Sequence, residues 1–286
     1  MDETLREKIE AYIHTMPSLS TTMFKVLEVC NNPHTSSADL NRVISLDPVL
    51  VGRVLKLINS AYYGLEQQVT NLVRAVIMLG INTVKNLALS SAVMGSFQSD
   101  ELQGLDAEGY WRHSLCVGVA AKLIARKRGV DPRLLEDYFT AGLLHDIGKI
   151  PLNAALSGGY LLAVKDADSR RVPLFQGETE KLGINHSEAG KLVVNAWRIG
   201  GGLADAVIHH HAYRDYAGEH KDLLYSIVAA NYFASFMEIG FSGCRHPRRP
   251  EDTVWETLGL AWEDIEDIKP VVDKEIEKAQ IFLNLT

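Results

Sequence analysis

Apolar residues recur three and four positions apart along almost the whole chain, and sustained alternation is absent. That spacing gathers apolar side chains on one stripe of a helix, so the pattern predicts an all-α fold. Glycines and prolines punctuate it at intervals suited to helices of ordinary length. In the first half the predicted helices are short. Ser36 with Asp39 reads as a helix start, its side-chain oxygen free to cap orphan amides. A helix over 48–59 follows, with Pro48 in the first turn, where a missing N–H costs nothing. Thr70 opens another that closes near Gly80, and Asn82 begins the next. The stretch 97–109 is polar and contains glycine, which marks a subdomain boundary.

The second half opens with an amphipathic helix over 110–128. Glu136 and Asp137 then start a helix at the end that favours negative charge. It runs through Phe139, Leu143, Leu144 and Ile147, and Pro151 ends it. A loop-rich insertion with Gly158, Gly159 and Pro173 separates it from helices over 187–199 and 203–210. Another apolar helix covers 223–239, and the tail from Trp255 onward reads as an acidic helix or helix pair. The chain thus divides into an N-terminal helical subdomain (1–100), a multi-helix core (101–240) and a C-terminal helical extension (241–286).

Composition narrows the function. With 286 residues, 47% of them hydrophobic, the chain can bury one large core or two small ones. Acidic residues outnumber basic ones 36 to 29, for a net charge of −7, which disfavours extended nucleic-acid binding. The basic loop Arg245, His246, Arg248 and Arg249 reads first as solvated surface and second as an anion site. Cys30, Cys116 and Cys244 are far apart and form no CxxC pair, which fits a reducing compartment. The charged start MDETLREKIE is unlike a signal peptide, and no run approaches the roughly eighteen apolar residues of a membrane helix. A cytoplasmic protein without membrane contact is expected.

Candidate chemistry lies in the histidines. His14, His34, His220 and His246 sit in polar segments and read as surface residues. His113, His145, His186, His209, His210 and His211 all fall in the second half. Beside His145 stands Asp146, among Leu143, Leu144, Ile147 and Ile150, where a carboxylate needs a partner. A metal, an arginine or a helix N-terminus would each serve, and a His-Asp dipeptide alone is common. Several histidines converging on such an aspartate from neighbouring helices fit a first-row transition-metal site. Lys149 lies three residues beyond Asp146, placed either to hold a phosphoryl oxygen or to stabilise a helix C-terminus. Asn59, Ser60, Tyr62 and Tyr63 read as capping and packing residues ahead of a partner surface.

His113, the GLLHDIGK segment and the later histidines resemble the HD superfamily of metal-dependent phosphohydrolases. LDPVLVGRVLKLINSAYYG and VTNLVRAVIMLGINTVKNLAL narrow the resemblance to the HDOD family, the HD-related output domains of bacterial signalling. It spans about 17–237. The resemblance implies His113, His145 and Asp146 as metal ligands, with Asp146 bridging where two ions bind. It implies His186, His210 and His211 as the additional histidines of binuclear members such as the HD-GYP phosphodiesterases. Those enzymes supply a further aspartate where this chain offers Asn231, and the glycine-tyrosine-proline signature is replaced by HHHAYRDYAG. An amide brings no negative charge, so a weaker or mononuclear site, or one that recruits a charge-balancing anion, is expected; imidazole-rich ligation points to one or two ions of Fe, Mn, Zn or Ni.

Two functions follow. The first is a signalling module that binds a protein or a small phosphorylated ligand, its input arriving from another chain or a small molecule. The second is a phosphohydrolase acting on a nucleotide or cyclic dinucleotide, with a metal acidifying water and Asp146, Lys149 and His210 as its catalytic set. The signalling module is the preferred reading.

Overall fold

Polar caps set the register of the first helices. In the computed structural model, which describes residues 3–15, 19–32, 34–94 and 105–283, Ser20 caps α2 (Thr21–Cys30) and Ser36 with Asp39 forms a capping box on α3 (Ser37–Ile44). Asp47 accepts from the amide of Leu50 at the start of α4 (Pro48–Ile58), where Pro48 occupies the first turn. Asn71 caps α5 (Leu72–Leu79), and Gly80, at φ +86°, turns the chain into α6 (Ile81–Met94). Asn59 does the packing work expected of it: its amide group bonds both the carbonyl (2.8 Å) and the N–H (2.7 Å) of Val69, closing the loop between α4 and α5. A further helix, α1 (Glu3–Thr15), packs against the second half of the chain.

The centre of that half is α7 (Ala107–Lys127) crossing α8 (Leu135–Leu144), with α13 (Lys221–Phe236) against both. The crossing is close because glycine meets glycine. A Cβ on Gly142 would stand 2.6 Å from the Cα of Gly118. Around this core run α9 (Lys149–Arg170), α10 (Leu174–Leu182), α11 (His186–Ala196) and α12 (Gly201–His209). The chain closes with α14 (Asp252–Leu258), α15 (Trp262–Glu266) and α16 (Lys269–Ala279), the last on α7. No strand occurs among the described residues.

Two expectations are corrected. The helix opened by Glu136 ends at Leu144, before the turn 145–148, and Pro151 lies in the first turn of α9, where proline is tolerated. The supposed loop-rich insertion is helical: α9 carries Gly158 and Gly159 inside it, with only Leu156 leaving helical geometry (φ −126°, ψ 26°). Pro173 does not break structure but precedes α10. Tertiary burial of Tyr160, Ala163 and Ala167 outweighs the roughly 1 kcal/mol each helical glycine costs. The expected boundary near residue 100 lies outside the described residues.

The N-terminal helices are fastened to the core by polar and aromatic contacts. Asp137 on α8 accepts from Asn82 (2.8 Å) and Asn86 (2.7 Å) of α6. Tyr62 packs on Phe139 and Phe282, and Lys122 on α7 lies over its ring while pairing with Glu136. No single helix among the described residues is long and apolar enough to cross a membrane.

Candidate metal centre

The turn 145–148 carries the site. Its close seat against α11 requires Gly148, where a Cβ would stand 2.0 Å from the carbonyl oxygen of His186 and 2.4 Å from the amide nitrogen of Gly190. His145, still in right-handed helical geometry, and Asp146 follow α8 in this turn, and their side chains enter a shared pocket. Into the same pocket α7 sends His113, the first residue of α11 sends His186, and the end of α12 sends His210 and His211. All are buried except the half-buried His211.

Asp146 lies between two sets of imidazoles. Its Oδ2 faces Nε2 of His145 (3.4 Å) and of His113 (3.9 Å). Its Oδ1 faces Nε2 of His186 (3.3 Å) and of His210 (3.7 Å). His211 Nε2 stands 3.0 Å from His186 Nε2. Within the triad His113–His145–Asp146, and again within His186–His210–His211, candidate ligand atoms lie within 4.8 Å of one another.

The hydrogen bonds behind the rings decide what those atoms present. His145 Nδ1 donates to the carbonyl of Gly142 (2.7 Å), and His210 Nδ1 to those of Ala206 (3.0 Å) and Val207 (3.1 Å). His186 Nδ1 donates to the carboxylate of Glu178 (2.5 Å). With Nδ1 carrying the hydrogen, Nε2 of a neutral ring is a lone pair. Burial, with neighbouring histidines, pushes His210 and His211 well below the ordinary imidazole range; burial lowers His145 too and holds His113 down to about 3. Burial opposes charge on Asp146, yet His145, Lys149, His186 and His113 together hold it well below the usual carboxylate range.

The pocket thus brings the Nε2 lone pairs of His145 and His210 against an ionised carboxylate. His186 and His210 face each other Nε2 to Nε2 at 3.3 Å, while Asp146 Oδ1 and His145 Nε2 have no hydrogen-bond partner at all. Buried acceptors facing acceptors are unfavourable unless a cation lies between them. An imidazole-rich donor set suits a first-row transition metal.

Other expected residues fall as follows. Asn231 on α13 accepts from His113 Nε2 (3.1 Å), so it joins the site through a histidine. Lys149, at the start of α9 rather than a helix C-terminus, is buried with its Nζ on Asp146 Oδ2 (2.6 Å) and Ser242 Oγ (3.1 Å). His209 stays outside, against Tyr216, and His246 pairs with Asp168 (3.2 Å) on the surface. A cavity of about 190 Å³ opens over His186, His210 and His211, with Lys149 and Ser242 in its wall and Arg214 and Arg248 at its exposed side. Sequence reasoning missed Glu178, fully buried behind His186, and Phe175, stacked on His211 at 4.3 Å. Glu178 had a signal: it interrupts the stripe of Leu174 and Leu182 at four-residue spacing, legible only once α10 is recognised as a helix.

The all-helical fold and the five imidazoles gathered around one carboxylate define the chain first as a helical protein with a candidate metal centre. More narrowly, the chain belongs to the HDOD domain family, whose sequence profile matches residues 16–213. An uncharacterized protein of Treponema pallidum (strain Nichols) is 25% identical over 236 residues, 82% of this chain and 45% of that one; the chain spans about half the length of this curated relative. Among solved structures, an HDOD domain protein with unknown function from Geobacter sulfurreducens superposes with a TM-score of 0.69 at 21% identity, covering 99% of this chain and 97% of its own. A provisionally named signal transduction protein of Marinobacter aquaeolei VT8 gives 0.75 at 19% identity, covering 98% and 65%. A provisionally named phosphohydrolase of Shewanella amazonensis SB2B gives 0.69 at 22%, covering 95% and 97%. These likenesses concern the fold.

Proposed function

We propose that the chain acts as an HDOD signalling module whose pocket holds a transition metal and reads a small anionic ligand entering the adjoining cleft. One observation carries the metal: the lone pair of His210 Nε2 and the partnerless Oδ1 of Asp146 are buried acceptors 3.7 Å apart, with His186 Nε2 3.3 Å from each. His113, His145, Asp146, His186, His210 and His211 would hold it, and a bound ion supplies Lewis acidity toward an oxyanion. Lys149 stands in the cleft wall beside these ligands, and Arg248 at its exposed side favours negative charge. In tag-free protein prepared without chelator, elemental analysis is expected to find one or two ions of Fe, Mn, Zn or Ni per chain, lost in both Asp146→Ala and His186→Ala. No metal after reconstitution with all four would refute the site.

A phosphohydrolase reading rests on a different feature, the two three-donor sets on either side of a single carboxylate. The names of the structural relatives span both readings. Turnover of a generic phosphoester that disappears in Asp146→Ala would favour hydrolysis. Inactivity with every metal would leave the binding module.

A further inference from the structure

The two oxygens of Asp146 are not equivalent. Oδ1, on the side of His186 and His210, receives no hydrogen bond. Oδ2, on the side of His113 and His145, receives the buried ammonium of Lys149 at 2.6 Å. In that second half His113 Nε2 is also engaged, donating to Asn231 Oδ1 at 3.1 Å. Two of its three donors are therefore already satisfied by the chain itself. We propose that Lys149 is a resident cation in the His113–His145–Asp146 half-site, so that the chain holds one metal ion beside His186, His210 and His211. A second enters only when an oxyanion in the cleft draws the ammonium off Asp146. The inference rests on the metal reading above.

Charge gives the reason. Asp146 and Glu178 contribute two negative charges to the buried set and Lys149 one positive charge. One divalent ion brings the set to a single positive charge; two bring it to three, in an interior where like charges repel strongly. A metal ligated by Oδ2 would also have to share that oxygen with the ammonium already on it. An oxyanion removes both obstacles, because it adds negative charge and gives the ammonium a new acceptor. The required movement is local: Lys149 and its second partner, Ser242 Oγ at 3.1 Å, both line the cleft through which the anion would arrive. Asn231 fits the same design, since an aspartate there would have supplied the missing charge for a second ion.

The test uses the full chain, stripped of metal and then equilibrated with Mn²⁺, with and without inorganic phosphate. Bound manganese is counted by elemental analysis after desalting, and electron paramagnetic resonance distinguishes isolated from spin-coupled ions. Wild type is expected to bind one ion alone and two, spin-coupled, with phosphate. Lys149→Met is expected to bind two without phosphate. Ser242→Ala, which loosens the ammonium without touching a ligand, should reach two ions at a phosphate concentration about threefold or more lower. A wild type that binds two ions without phosphate, or never more than one with it, overturns the proposal however the variants behave. A Lys149→Met protein that folds and stays at one ion also overturns it. No manganese in any of them removes the metal reading itself, a result distinct from the failure of the gate alone.

Discussion

Histidine protonation governs the pocket residue by residue. His113 is held down to about 3 by burial, and burial also lowers His145, His210 and His211. In the unfolded chain such groups titrate near 6.5. Between those values the unfolded chain binds protons the folded one refuses, so stability falls as pH drops below about 6.5. Asp146, whose folded value is depressed, adds stability that is complete above its unfolded value near 3.9, and it contributes no slope from pH 7 to 5. Metal-free protein should therefore melt progressively lower from pH 7 to pH 5; a Tm that does not change over that range would contradict neutral burial. Glu178 acts one step back, through the Nδ1 hydrogen of His186. Glu178→Gln should weaken metal binding by about 10- to 100-fold in a chelator competition, because the ring loses a charged partner that raises its basicity. Unchanged affinity would make the contact merely structural.

At the scale of elements, the site depends on how closely helices approach. Gly148 lets the turn after α8 lie on the start of α11, and no larger residue fits there. Gly148→Ala is expected to cost about 1–3 kcal/mol or more in denaturant unfolding and to lower metal content, since the turn must lift His145 and Asp146 away from His186. Gly52→Ala is the control. An added Cβ there meets nothing within 4 Å, on the exposed side of α4, so it should stabilise by about 0.5–1 kcal/mol and leave metal content unchanged. Equal effects at the two positions would remove the packing argument. The same scale explains the misread insertion. Proline and two glycines signal loop in isolation, while α9 and α10 are held helical by packing on each other and by buried Tyr160 and Glu178.

Over the whole molecule, the N-terminal helices meet the core through few polar anchors. Asp137 joins Asn82 and Asn86 of α6 to α8, with Lys85 3.7 Å away. Asp137→Ala leaves the Asn86 amide without its acceptor and Asn82 with only the Arg133 carbonyl (3.2 Å), and should cost about 1–3 kcal/mol. Hydrogen exchange would then be expected to quicken in α6 while metal content stays at the wild-type level. Loss of metal in this variant would mean instead that the N-terminal helices help to shape the pocket. Exposed Leu46, Val49 and Ile77 lie on the turn after α3, on α4 and on α5.

Much of this was legible along the chain, for local reasons. Ser36, Asp39 and Pro48 act through neighbours within one helical turn, so the starts of α3 and α4 follow from sequence. The three-to-four spacing specifies helices, and the histidine set with Asp146 is recognisable as candidate ligands because buried polar side chains demand partners. What those ligands face is a matter of long-range packing. Only the tertiary structure set the two oxygens of Asp146 against different histidines, put Lys149 on one of them, and brought Glu178 behind His186. The contacts with His186 and Glu178 depend on the close approach at Gly148 of segments distant in sequence, and periodicity describes one helix at a time.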